Sequence, residues 1–150
     1  MLAVPVRRRN DRTMTTDNIR IAAALIDDGN GRMLLVRKAG TRWFMQAGGK
    51  IEAGEQPIDA LCRELHEELG LVVDRAAVAP LGRFIAPAAN EAGRTVDAEL
   101  FHVRTAQAPA PRLEIAEALW VDRARAEAMP LAPLTRDHVL PLLVRSAPTK

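Results

Sequence analysis

The sequence predicts a mixed α/β domain in which helices cover a sheet, and three observations lead there. Short apolar runs punctuated by turn residues dominate both halves of the chain. One strongly periodic helical segment lies between them, and a second helical pattern closes the sequence. With 150 residues, 48% hydrophobic and 27% charged, the chain has the size and composition of one globular domain.

Ile19 to Asp28 is mostly apolar and reads as a strand, and Asp28-Gly29-Asn30-Gly31 supplies turn chemistry after it. Arg32 to Lys38 reads as the second strand of that hairpin, and Trp43 to Gln46 as a short third strand before Gly48 and Gly49. From Pro57 to Leu69 the pattern turns helical: Ile58, Leu61, Leu65 and Leu69 share one sector that a sheet would bury. Pro57 suits the first helical position, where its missing N–H has no partner to lose, and Gly70 suits a left-handed end. Gln56 is a poorer cap than Ser or Thr. Val78–Ile85 and Val96–Arg104 read as two further strands joined by a loop from Pro87 to Arg94. A proline-rich link, Ala106 to Pro111, leads to Glu114–Asp122, where Leu119, Trp120 and Val121 predict a last strand. Leu134 to Val144 reads as a C-terminal helix with Pro141 as a breaker in its middle.

The net charge of +2 is unevenly distributed. Arg7, Arg8, Arg9, Arg12 and Arg20 face only Asp11 and Asp17 in the first stretch of chain, so the basic balance belongs to a tail. Residues 1–17 are expected to be a disordered basic tail and 18–146 the folded domain, with Met14 an alternative start. An arginine cluster can meet nucleic acid or anionic lipid, but a solvated tail is the commoner case, and no nucleic-acid partner is expected. The lone cysteine, Cys62, excludes an internal disulfide framework and a multi-cysteine zinc site, which favours a reducing, cytoplasmic setting. No apolar run approaches the roughly 20 residues of a membrane helix.

The chemistry concentrates in Gly49 to Leu71. Glu64, Glu67 and Glu68 fall at i, i+3 and i+4, so a helix points all three carboxylates to one side. Like charges so placed repel, and a hard divalent cation with oxygen ligands would hold them together. A solvated acidic face is equally compatible with the spacing alone. Trp43 and Phe44, just before the glycines, could stack on a nucleobase or pack in the core.

The segment resembles the Nudix box, G-x5-E-x7-R-E-U-x-E-E-x-G-U with U aliphatic. Gly49, Glu55, Arg63, Glu64, Leu65, Glu67, Glu68, Gly70 and Leu71 fill every specified position. The strand order around it resembles the small MutT-type members of that family, which implies an α/β/α sandwich with a mixed sheet, the box helix and a C-terminal helix packed on it. The resemblance implies a pyrophosphohydrolase that cleaves a nucleoside diphosphate linked to a further moiety X, with Mg²⁺ or Mn²⁺ as cofactor. It assigns Glu64, Glu67, Glu68 and the Gly48 carbonyl to the metal, and Arg63 to orienting a box glutamate, Glu55. Lys50, and Lys38 or Arg37, match phosphate-contacting positions, and Phe44 is the candidate base contact. Glu114 resembles a fourth carboxylate brought from outside the box, and Glu67 and Glu114 are both candidates to position or deprotonate the attacking water. Ala47 stands where a proline is common.

The remaining reactive residues read as structural. Cys62 falls on the apolar side of the helix, and His66 lies about 160° from the mean direction of the box glutamates. His102 and His138 are isolated, Trp120 reads as core, and Asn90, Glu91 and Gly93 form a loop that could reach the substrate but reads more simply as an ordinary polar turn. Pro87 stands where a proline marks many ADP-ribose pyrophosphatases, a weak signal in a chain with 10 prolines. The residues from Leu131 to Arg136 hold no clear match to the asparagine that MutT-type members use to read an oxidised guanine. A nucleoside triphosphate is therefore the favoured substrate, ADP-ribose or a nucleotide sugar the alternative, and a catalytically silent nucleotide-binding module the third reading. Homodimers are frequent in the family, but nothing in the sequence demonstrates one.

Overall fold

The computed structural model describes residues 18–143, so the basic tail and residues 144–146 of the expected domain lie outside the described part. Seven strands form one mixed sheet: β1 (Asn18–Asp27), β2 (Arg32–Lys38), β3 (Phe44–Met45), β4 (Ala47–Lys50), β5 (Ala79–Pro87), β6 (Thr95–Arg104) and β7 (Ile115–Asp122). The sheet path runs β3-β2-β1-β6-β5, with β4 on β1 and β7 on β2. β1 lies parallel to β6 along its whole length, from Asn18 opposite Thr95 to Asp27 opposite Arg104. The β1–β2 hairpin pairs only near its turn, at Asp27 and Met33; further back β4 occupies that edge of β1, with Ala24 opposite Ala47 and Ile21 opposite Lys50. Gly48 and Gly49 are thereby built into the sheet.

The alternation of β1 sorts its side chains into two cores. Ala22, Ala24 and Ile26 face α1 (Pro57–Leu69), where Leu61, Leu65 and Leu69 are buried with Leu34 and Val36. Burying each of those leucines stabilises the fold by about 1.5–3 kcal/mol. Ala23 and Leu25 face the opposite way, with Met33, Leu35 and Leu100, onto Leu131, Leu134, Val139 and Leu140. The sheet is thus covered on both faces.

The C-terminal cover differs from the continuous helix expected over Leu134–Val144. It folds as a π turn, Thr135–Val139, followed by a 3₁₀ turn, Leu140–Leu142. Pro141 donates no N–H and its ring would collide with the carbonyl four residues earlier, so the α ladder stops. The Arg123 guanidinium instead donates to the Leu140 and Leu143 carbonyls, both at 3.1 Å. The structure adds a short helix, α2 (Arg123–Glu127), capped by the Asp122 carboxylate accepting from the Arg125 N–H at 2.8 Å.

Candidate active site

Helix α1 begins at Pro57 without a side-chain cap from Gln56 and ends at Gly70 with φ 69°, its N–H reaching the His66 and Leu65 carbonyls. With the leucine stripe pinned to the sheet, the glutamates grade outward: Glu68 is buried, Glu64 half-buried and Glu67 exposed. Arg63 organises the helix entry. Its Nε donates to Glu55 Oε2 at 2.8 Å and its Nη2 to Glu55 Oε1 at 2.9 Å, a bidentate pair. Nη1 donates to Glu64 Oε2 at 2.9 Å and Nη2 to the Lys50 carbonyl at 3.1 Å. Glu67 stands 3.5 Å from the same guanidinium. The Arg63 hydrogen bonds lower the Glu55 pKa to about 2, helped by a backbone N–H from Glu52.

Gly48 and Gly49 make room for this arrangement. Gly48 adopts φ 147°, and a Cβ there would collide with the Ala22 carbonyl and come within 2.7 Å of the Ala23 Cα. A Cβ at Gly49 would overlap the Glu64 carboxyl, with Oε1 at 2.6 Å. Glu64 therefore lies in a space that only glycine leaves open. Behind it, burial pushes the Glu68 carboxyl up to about 7, reinforced by Glu64 and Glu114 and opposed by Lys38. Glu114 reaches this neighbourhood because its loop is strapped over the end of α1. The Ala110 N–H donates to the Leu69 backbone carbonyl at 2.8 Å and the Arg112 N–H to the Glu68 backbone carbonyl at 2.9 Å. Leu113 follows at φ 56°, and the Glu114 carbonyl accepts from the Ala39 N–H at 2.7 Å.

An open cleft of about 790 Å³, solvent included, continues from these glycines. Ile19, Ile21, Ala23, Val96, Ala132 and Leu134 line it with apolar surface, and Lys38, Lys50, Gly48 and Gly49 line the part shared with the box. Asn90 and Glu91 of the β5–β6 loop also border the cleft, the less favoured of the two readings of that loop. Gln46 borders it as well and escaped the sequence reading; the available signal was a lone amide within the Phe44–Ala47 run.

Lys38 and Lys50 are thus brought to the cleft, whereas Arg37 is engaged elsewhere. Its Nε donates to Glu117 Oε1 at 2.8 Å and its Nη1 to the Thr41 carbonyl at 2.8 Å. Its guanidinium carbon lies 6.0 Å from the Phe44 ring centre, and Phe44 packs on the C-terminal core rather than lining the cleft. Trp43 stacks with Arg42 at 4.6 Å, and Trp120 packs against the core beneath α1. His138 stacks on Phe84, His102 meets Asp27, and His66 is exposed. Burial pushes the Cys62 thiol up, which keeps it protonated and poorly nucleophilic.

The donors grouped here fit a hard divalent cation in chemistry. All are oxygens, the buried Glu68 carboxyl feels the charges of Glu64 and Glu114, and Gly49 keeps the space beside Glu64 clear. Among the described residues, no three His, Cys, Asp or Glu side chains converge as a preformed cage. Arg63 draws Glu64 and Glu67 toward itself, a cation already neutralising part of the cluster.

Comparison with known proteins gives concordant findings. A family model for the NUDIX domain matches residues 17–143. The 8-oxo-dGTP diphosphatase of Haemophilus influenzae is 41% identical over 58 residues, 36% of this chain and 43% of that protein. This chain therefore aligns with less than half of that relative's length. The CTP pyrophosphohydrolase of Escherichia coli is 33% identical over 122 residues, 77% of this chain and 84% of that protein. The solved structure of the E. coli dihydroneopterin triphosphate pyrophosphohydrolase superposes with a TM-score of 0.69 at 14% identity, covering 83% of this chain and 94% of that one. That likeness shows the shared fold.

Proposed function

The chain belongs to the NUDIX family, and from that membership we propose that it is a Mg²⁺-dependent pyrophosphohydrolase cleaving a nucleoside triphosphate to a monophosphate and pyrophosphate. The observation that carries this reading is continuity: the acidic face of α1 and the apolar cleft share one wall, Gly48-Gly49. An apolar seat for a base then lies beside a set of oxygen ligands and lysines suited to phosphates. Glu64, Glu68 and Glu67 with the Gly48 carbonyl would hold the cation. Bound there, Mg²⁺ would supply Lewis-acid polarisation of the phosphoryl oxygens and offset charge on the leaving group.

The chain's own groups supply the rest. Lys38 and Lys50 would bind phosphate oxygens as point charges. Arg63 keeps Glu64 and Glu67 in register with the Lys50 backbone. Glu67, the exposed member of the set, is our candidate to accept the proton of the attacking water, and Glu114 is the second candidate. The named activities of the Haemophilus and E. coli relatives, on 8-oxo-dGTP and CTP, favour a triphosphate over a nucleotide sugar.

The test is a phosphate-release screen with Mg²⁺ over canonical and oxidised nucleoside triphosphates, ADP-ribose and nucleotide sugars. Pyrophosphate and a monophosphate from a triphosphate is the expected result. Monophosphates from ADP-ribose with triphosphates inert would move the substrate to the nucleotide-sugar class. Silence from folded protein that binds nucleotides would leave the non-catalytic binding module.

A further inference from the structure

Gln46 is 6% exposed, and its Oε1 accepts a hydrogen bond from the Thr135 hydroxyl at 2.6 Å. Thr135 is fully buried, so this partnership is shielded from water, and with Oε1 turned to the hydroxyl the amide nitrogen is turned away from it. Among the described residues no acceptor meets the Gln46 amide nitrogen, although the side chain borders the apolar cleft. A buried donor left without a partner costs roughly 1–3 kcal/mol, and such groups in native proteins call for a reason. Around it, Ile21, Ala23, Ala132 and Leu134 offer surface that accepts a flat ring and supplies no competing acceptor from a side chain. An apolar slot with one fixed polar group is the usual build of a site that reads a ligand's edge.

We propose that Gln46, oriented by Thr135, selects the nucleobase and favours an exocyclic carbonyl over an exocyclic amine. The inference rests on the nucleotide reading above and deepens it. With Oε1 occupied by the Thr135 hydroxyl, the face turned to the ligand is the amide's N–H₂. A base carbonyl satisfies that donor, whereas an amino group there opposes donor to donor and leaves both unpaired. Thr135 is a positioning residue: without its hydroxyl the amide can present either end.

The experiment compares matched triphosphates that differ in the keto or amino character of the ring, inosine against adenosine and uridine against cytidine, using whichever pair is turned over faster. The wild type should show a kcat/KM ratio of roughly tenfold or more for the keto partner, arising mainly in KM, since one well-placed hydrogen bond has that effect. Gln46→Met keeps the volume and removes the amide, so the ratio should fall close to one. Thr135→Val should do the same, and Thr135→Ser, which restores a hydroxyl, should recover it. A purely structural role would lower thermal stability and slow both partners alike without moving the ratio. The corresponding monophosphates are also bound without turnover, by equilibrium dialysis. Hydrolysis with a ratio near one, or a ratio unmoved by Gln46→Met and Thr135→Val, overturns the inference and leaves the proposed hydrolysis standing. No hydrolysis, but keto-selective binding that Gln46→Met abolishes, overturns the hydrolysis and leaves the inference standing. Absence of both binding and hydrolysis overturns both.

Discussion

An added Cβ at Gly48 would collide with backbone, the Ala22 carbonyl and the Ala23 Cα, while one at Gly49 would meet only the flexible end of Glu64. Adjacent substitutions should therefore fail differently. Gly48→Ala must displace β1 or strain its own left-handed φ, and about 3 kcal/mol of stability should be lost. Gly49→Ala should stay within about 1 kcal/mol of wild type, because a carboxylate can swing aside, yet lose roughly 100-fold in kcat/KM as Glu64 is misplaced. Urea melts and initial rates on the two proteins separate the cases; equal destabilisation would mean that Gly49 serves the sheet instead of Glu64. Glu67 offers the complementary measurement. It is exposed and its guanidinium contact is 3.5 Å, so Glu67→Gln should leave the melting temperature nearly unchanged. If it is the base, turnover should drop by about 10²–10⁴-fold. A variant within tenfold of wild type would pass the role to Glu114, which lies near Glu68 through the strapped loop.

At the level of elements, the Arg63–Glu55 pair ties α1 to the loop that delivers it from β4. Folded Glu55 titrates at about 2, below its ordinary 4.5. The unfolded chain thus binds the proton more readily between those values. The stabilisation is complete above about pH 4.5 and is lost as pH falls toward 2. Glu55→Gln should flatten that part of the stability curve, so wild type loses more between pH 5 and about 2.5 than the variant does. Parallel acid profiles would place the coupling elsewhere, as in Asp97, whose carboxyl Arg83 also holds low. The same scale shows what the chain discloses locally. Helix α1 was readable because Pro57, the leucine stripe and Gly70 are all local signals, and its limits fall where they do. The segment from Leu134 reads as one helix since its apolar spacing is helical; Pro141 and the Arg123 guanidinium decide otherwise, and that guanidinium arrives from elsewhere in the chain.

In the whole molecule, the carboxylate face was legible because it sits within two turns of one helix, whereas the cleft is assembled by distant pairings. Gln46 and Thr135 are 89 residues apart, and the parallel β1–β6 pairing that sets the cleft wall leaves no local trace. Collecting Glu64, Glu68 and Glu114 has a consequence for global stability. Buried Glu68 faces two like charges and one opposing lysine, an arrangement that destabilises the metal-free protein. A divalent cation bound only by the folded state should reverse that by mass action, about 2.7 kcal/mol at a concentration 100 times its Kd. Glu68→Gln removes one charge without changing shape. In chelator at pH 8 it should unfold at higher urea than wild type, gaining about 1–2 kcal/mol. On adding Mg²⁺ the order should invert, because wild type is stabilised and the variant gains little. The two curves thus test opposite halves of one argument: the strain among the carboxylates, and the ion that relieves it. A wild type indifferent to Mg²⁺ and Mn²⁺ would sink the metal assignment, while a Glu68→Gln protein weaker than wild type in chelator would mean that buried Glu68 contributes to the fold through its own contacts.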